Sequence, residues 1–154
     1  MSDLLIRRAT GADAGPAGEL ARTAYAPWEQ RLGGRPLPMD YDYAEVVATM
    51  SAWVAERDGE IVGLLVLGDD GEGFFVDNIA VDPTAQGTGV GGRLLAQAER
   101  EALAAGFDSI YLWTHEGMTE NREIYEATGY AEFDHRPPRP GAPPVLVYLR
   151  KPLA

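Results

Sequence analysis

The sequence contains no cysteine, and lysine occurs once, at Lys151. The missing thiols exclude disulfides, thiolate metal ligands and a cysteine nucleophile. Histidine occurs only at His115 and His135, which offer no metal-ligand spacing, so no metal is expected. Long apolar runs are also missing: no window approaches the roughly 20 residues of a membrane span. The opening residues, MSDLLIRRATGADAG, carry no signal-peptide pattern, and cytoplasm is the expected location. Basic residues are scarce, with 13 Lys+Arg against 24 Asp+Glu and a net charge of −11. Repulsion of that size argues against nucleic acid and anionic membrane surfaces as partners. It leaves open one local pocket that holds an anion through backbone groups. The 154 residues, 45% hydrophobic, suffice for one domain, expected over 1–154.

Periodicity divides the chain into short elements. Leu4–Arg8 reads as a strand, and Thr10 with Asp13 three residues on resembles a capping box for the helix that follows. Ala17, Leu20, Ala21, Ala24 and Tyr25 share one face of that helix, which is expected to stop near Pro27. A Gly/Pro-rich loop, Gly33–Met39, precedes a second helix over Tyr43–Met50. Trp53–Glu56 and Ile61–Leu67 are apolar β runs joined at Asp58-Gly59, a strong hairpin signal. Phe74–Val81 continues the meander after the acidic turn Asp69–Gly73, which reads as solvated. Leu94, Leu95, Ala98, Ala102 and Leu103 then mark an amphipathic helix with Gly106 just past its end. Ser109–Thr114 is a strand, Thr119 a cap for a short helix ending at Thr128, and Ala131–His135 and Val145–Arg150 the last strands. The proline-rich Arg136–Pro144 between them must be loop. Trp28, Trp53 and Trp113 are expected in the core, and His115 in a solvated loop. The fold class is α+β (mixed α/β), a mostly antiparallel sheet with one parallel crossover, flanked by about four helices.

The segment Val76–Leu95, VDNIAVDPTAQGTGVGGRLL, carries the chemistry. A β-branched strand runs into four glycines, Gly87, Gly89, Gly91 and Gly92, that open a helix. Each glycine costs a helix about 1 kcal/mol against alanine. The return is close backbone approach to a ligand, since free N–H groups at a helix start carry about half a positive charge and suit phosphate. A P-loop requires Gly-Lys-Ser/Thr, which Gly91-Gly92-Arg93 does not supply. A dinucleotide fingerprint requires other glycine spacing in an opening βαβ unit, whereas a meander precedes this one. The remaining pattern is the Gln/Arg-x-x-Gly-x-Gly/Ala pyrophosphate loop, which Gln86-Gly87-Thr88-Gly89-Val90-Gly91 fits without a gap. A purely structural glycine turn is the bland alternative.

Over essentially its whole length the chain resembles the GNAT superfamily of N-acetyltransferases. Four blocks carry the resemblance: IRRATGADAG, VAERDGEIVGLLVL, IAVDPTAQGTGVGGRLL and MTENREIYEATGY. It implies that Gln86, Gly87, Thr88, Gly89, Val90 and Gly91 bind the diphosphate of acetyl-CoA through main-chain amides, with Gly92 close by. It also implies main-chain contacts from Ile79, Ala80 and Val81 to pantetheine and thioester, a contact from Asn121 to the cofactor arm, and Tyr125 beside the sulfur. The reaction would be direct attack of a primary amine on the thioester, with Tyr125 as general acid to the departing thiolate. No covalent enzyme intermediate is needed. The glutamate that some members carry falls where Phe75 stands here; Asp77 is one candidate for its role, and water relayed to a carboxylate is the other. The acidic balance, with Glu29, Asp40 and Asp42 near the acceptor loops, favours a cationic acceptor. The acceptor is a small amine or a peptide amine, and monomer and homodimer are both compatible with the sequence. The competing reading from another class is a non-catalytic acyl-CoA sensor, which shares the loop and does not need Tyr125.

Overall fold

The computed structural model describes residues 3–153, so the first two residues and the last of the expected 1–154 domain lie outside it. Seven strands form one sheet in the order β1-β2-β3-β4-β5-β7-β6. Strands β1 (Leu5–Arg8), β2 (Ser51–Arg57), β3 (Glu60–Asp69) and β4 (Phe74–Val81) make the antiparallel meander. The crossover helix α3 (Val90–Ala104) delivers β5 (Ser109–His115) parallel to β4. The last two strands, β6 (Ala131–Arg136) and β7 (Leu146–Pro152), pair antiparallel, with β7 inserted between β5 and β6. Helices α1 (Ala14–Leu32), α2 (Tyr43–Thr49) and α4 (Thr119–Ala127) complete the fold.

Both faces of the meander are covered, so β3 reads as a nearly unbroken apolar run. Leu64 and Val66 pack with α1 and α2, while Leu65 and Leu67 pack with α3, and all four are fully buried. Gly63 sets how close α3 can come. A Cβ there would meet Val90 Cγ1 at 2.9 Å and Leu94 Cδ1 at 3.0 Å. The first turn of α3 is thereby seated on the sheet.

Helix α1 does not stop near Pro27; it continues to Leu32, and Gly33 ends it at φ +72°. The proline forfeits one helical hydrogen bond, and tertiary contacts in the last turns offset that. Arg31 pairs with Glu120 at 2.7 Å and stacks over Trp28, while Leu32 lies against Gly117. Thr119 does not cap α4: it is the first helical residue, and buried Met118 holds the N-cap position. The three tryptophans are half-buried rather than core. Trp113 joins Phe75, Tyr111 and Tyr148 in a ring cluster on the outer side of β4, β5 and β7.

The capping box at Thr10 forms, and its acid does more than cap. Asp13 Oδ2 accepts from the Thr10 N–H at 2.7 Å and from Arg7 Nη1 at 2.8 Å, and Arg7 Nη2 reaches Glu56 at 3.1 Å. The bond from Arg7 holds the Asp13 carboxyl down at about 2, against an ordinary 3.8. A depressed carboxyl stabilises the fold above its unfolded pKa, and that stability disappears as pH falls from about 4 to about 2. The shift corresponds to about 2 kcal/mol. Asp13→Asn should therefore lose about that much at pH 7, and the deficit should close near pH 2, as read by urea unfolding across pH. A deficit independent of pH would sink the assignment.

Candidate active site

Strands β4 and β5 pair only from Phe74↔Ile110 to Val76↔Leu112. Beyond that point the two part, β4 running to Val81 against β3 and β5 to His115 against β7. A cavity of about 510 Å³ occupies the resulting split, within the usual range for small-molecule sites. Asp77, Asn78 and Ile79 form one wall, Trp113, Thr114 and His115 the other, and Tyr25, Tyr125 and Asn121 come from the helices.

A bulge shapes the β4 wall. Its register against β3 shifts between Val66↔Asn78 and Leu67↔Val76, which leaves Asp77 as the extra residue. Bulges re-aim side chains in this way. Asn78 is 3% exposed and accepts from the Tyr25 hydroxyl through Oδ1. Its Nδ2 donates to the Tyr43 hydroxyl at 2.9 Å, and Tyr43 donates in turn to Pro38 O at 2.6 Å. Tyr25 also reaches Ile79 O at 3.0 Å. Asp82 N–H bonds Val62 O of β3, so strand alternation turns the main chain of Ile79 and Val81 to the opposite edge, facing the split. The tyrosine–asparagine network thus pins the backbone at the point where the sequence placed the thioester contacts.

Two titratable groups on the walls are perturbed. Asp77 is half-buried, and its Oδ2 has no hydrogen-bond partner among the described residues. Burial raises its carboxyl above 3.8, and the Tyr41 hydroxyl opposes the rise. Burial also pushes the Tyr125 phenol up to about 12. The Tyr125 ring is 8% exposed and packs edge-on to Tyr130 at 6.0 Å.

The glycine turn lies outside the cavity walls. Gln86, Gly87, Thr88 and Gly89 are exposed, and Gly89 is the N-cap of α3 at φ +90°. A Cβ at Gly87, Gly89 or Gly92 would meet nothing within 4 Å, and one at Gly91 only Val81 at 3.8 Å. The turn is therefore open to solvent and not packed shut. The first helical hydrogen bond is Arg93 N–H to Gly89 O, so the amides of Val90, Gly91 and Gly92 precede the helical ladder. Arg57 reaches Thr88 Oγ1 at 3.2 Å and adds positive charge beside the turn.

Of the residues singled out in the sequence, Asp77, Ile79, Asn121 and Tyr125 share the cavity. Ala80 does not: its side chain is buried among the residues that pack with α1 and α2, and the same strand alternation turns its main chain to Leu64 of β3, away from the split. The Val90 side chain is likewise buried, 1% exposed, beneath α3. His115 is not a solvated loop residue; it ends β5, lines the cavity and accepts the Gly117 N–H at 2.9 Å. The acids expected to attract a cation are engaged elsewhere. Arg35 holds Asp40 at 2.9 Å and Glu29 at 3.2 Å, and Asp42 caps α2. Tyr25, Tyr43 and Asn78 escaped the sequence reading. An asparagine in the middle of an apolar strand was the one visible sign.

The profile described as the acetyltransferase (GNAT) family matches residues 18–130. An IAA acetyltransferase of Azospirillum brasilense is 37% identical over 103 residues, 65% of this chain and 66% of that protein, so the match spans just under two thirds of the relative's length. A paia N-acetyltransferase of Thermoplasma acidophilum, solved in complex with coenzyme A, superposes with a TM-score of 0.80 at 16% identity over 97% of this chain and 99% of that one. A GNAT family acetyltransferase of Elizabethkingia anophelis with acetyl-CoA bound gives 0.72 at 21% identity over 97% and 98%. The structural likeness establishes the fold; the family profile spans well over half the sequence, and the chain belongs to the GNAT family of acetyltransferases.

Proposed function

We propose that the protein transfers the acetyl group of acetyl-CoA to a primary amine by direct attack, with no covalent enzyme intermediate. The observation that carries this is the pairing of an open glycine turn at the start of α3 with a cavity lined by Asp77, Ile79 and Tyr125. In this reading the amides of Gln86–Gly91 hold the diphosphate, Gly92 leaves room for it, and Asn121 contacts the cofactor arm. The main chain of Ile79 and Val81 lines the pantetheine and meets the charge that develops on the thioester oxygen. One such donor is worth about 3–4 kcal/mol in other acyl-transfer sites. Asp77 takes a proton from the ammonium and frees its lone pair; the N–C bond then forms, the C–S bond breaks, and Tyr125 gives its proton to the thiolate and regains one, through solvent, from the acetylated nitrogen. The test is release of free thiol from acetyl-CoA across an amine panel, beside calorimetric titration with CoA. Tight CoA binding with no thiol released for any amine would replace this reading with the acyl-CoA sensor.

Asp77→Asn keeps the shape of the side chain and removes its charge. The expected result is kcat/KM for the amine lower by about 100-fold, the range for a lost proton acceptor, with the KM for acetyl-CoA unchanged. Because burial raises the Asp77 carboxyl, wild-type kcat/KM should fall on the acid side as that group protonates. The variant should lack this limb. An identical acid limb in both proteins would remove Asp77 from the role.

A further inference from the structure

The cavity carries charge of both signs on a mostly apolar lining. Its charged or titratable lining residues, tyrosines aside, are Arg35, Asp77, His115 and Arg139. Arg35 is neutralised by Asp40 and Glu29, and His115 is tied to the Gly117 amide. Asp77 remains, with Oδ2 unpartnered, and so does Arg139, which forms no ion pair among the described residues. Arg139 sits in the proline-rich segment between β6 and β7 and lines the same cavity as Pro36, Leu37 and Pro38. Much of the remaining lining is apolar, and Leu37 on it is 68% exposed. An exposed leucine beside prolines gains by covering with an apolar group rather than a hydrated one.

We propose that the acceptor is a zwitterionic amine with an apolar body, its amino group at Asp77, its body against Leu37 and Trp113, and its acidic group on Arg139. This names the substrate class of the acetyl-transfer reading and rests on it. A polyamine is a poor fit, since a second cationic site would need a second free carboxylate and Asp77 is the only acid on the lining among the described residues. A bare apolar amine would leave Arg139 unanswered. One guanidinium–carboxylate contact in a partly enclosed site is worth about tenfold or more in affinity.

The test compares benzylamine, 4-(aminomethyl)benzoate, phenylalanine and spermidine as acceptors, by thiol release from acetyl-CoA. Wild type should favour at least one of the two zwitterions over benzylamine by about tenfold or more in kcat/KM, with spermidine the poorest. Arg139→Ala should collapse that ratio toward one, and Arg139→Lys should restore most of it. Equal use of benzylamine and both zwitterions, a preference for spermidine, or a ratio that survives Arg139→Ala overturns the assignment. Saturation-transfer NMR on the CoA complex separates this from the parent reading. If no amine releases thiol, acetyl transfer fails. Even then, zwitterion binding that Arg139→Ala abolishes supports the proposed recognition, and absence of such binding refutes it.

Discussion

Gly91→Asp should bind CoA about 100-fold more weakly than wild type and unfold at the same temperature or a higher one. The two effects have opposite signs because the same amides serve two purposes. Gly91 is the second residue of α3, where an acidic side chain favours the helix by about 0.3–1 kcal/mol. Its backbone needs no positive φ, and a Cβ there meets only Val81 at ordinary contact distance. The fold thus accepts the substitution. A diphosphate on those amides does not: two unit charges about 5 Å apart repel by about 3 kcal/mol at an effective dielectric of about 20. Gly91→Ala should stay near the wild-type affinity, as the Gly/Ala choice in the loop pattern implies. Gly89 is the poorer probe. At φ +90° any side chain there adds about 1–2 kcal/mol of backbone strain, so weaker binding and a weaker fold would be confounded. A Kd for CoA unchanged in Gly91→Asp would leave the turn without its ligand.

The glycine turn could be read from the sequence because its signal is local. Four glycines between a β-branched strand and an amphipathic helix are costly wherever the chain goes, and that cost implies a ligand without tertiary information. The hairpin at Asp58-Gly59 and the period changes around α3 are local in the same sense. What stayed hidden is set by distant partners. Pro27 marks a helix end until Arg31 finds Glu120, 89 residues away. The Asp77 bulge arises from the register between β3 and β4, which no single strand encodes. Tyr25 and Asn78 meet across 53 positions, and Tyr43 and Asn78 across 35. Each tyrosine alone is an ordinary half-apolar helix residue. Only the pairing makes them the clamp on Ile79, and only the splaying of β4 from β5 makes the cavity.

Tyr125→Phe should lower kcat by about 10²- to 10⁴-fold, the range for a lost general acid, and leave the Kd for acetyl-CoA unchanged. The substitution is mild for the fold. The ring keeps its place against Tyr130, and the hydroxyl it loses belongs to a residue on the cavity wall. The stability change should stay below about 1 kcal/mol, since no buried partner is left unsatisfied. Protonation explains why a buried phenol suits the role. With its pKa pushed up to about 12, Tyr125 keeps its proton throughout the neutral and mildly alkaline range. Wild-type kcat should then show no alkaline fall caused by Tyr125 below about pH 11. Single-turnover kinetics with acetyl-CoA in excess separate the acid role from packing. In the acid role, the chemical step slows in Tyr125→Phe although the complex forms normally and the melting temperature holds. In a packing role, the melting temperature drops while each folded molecule turns over at the wild-type rate, and the proton to the thiolate must come from elsewhere.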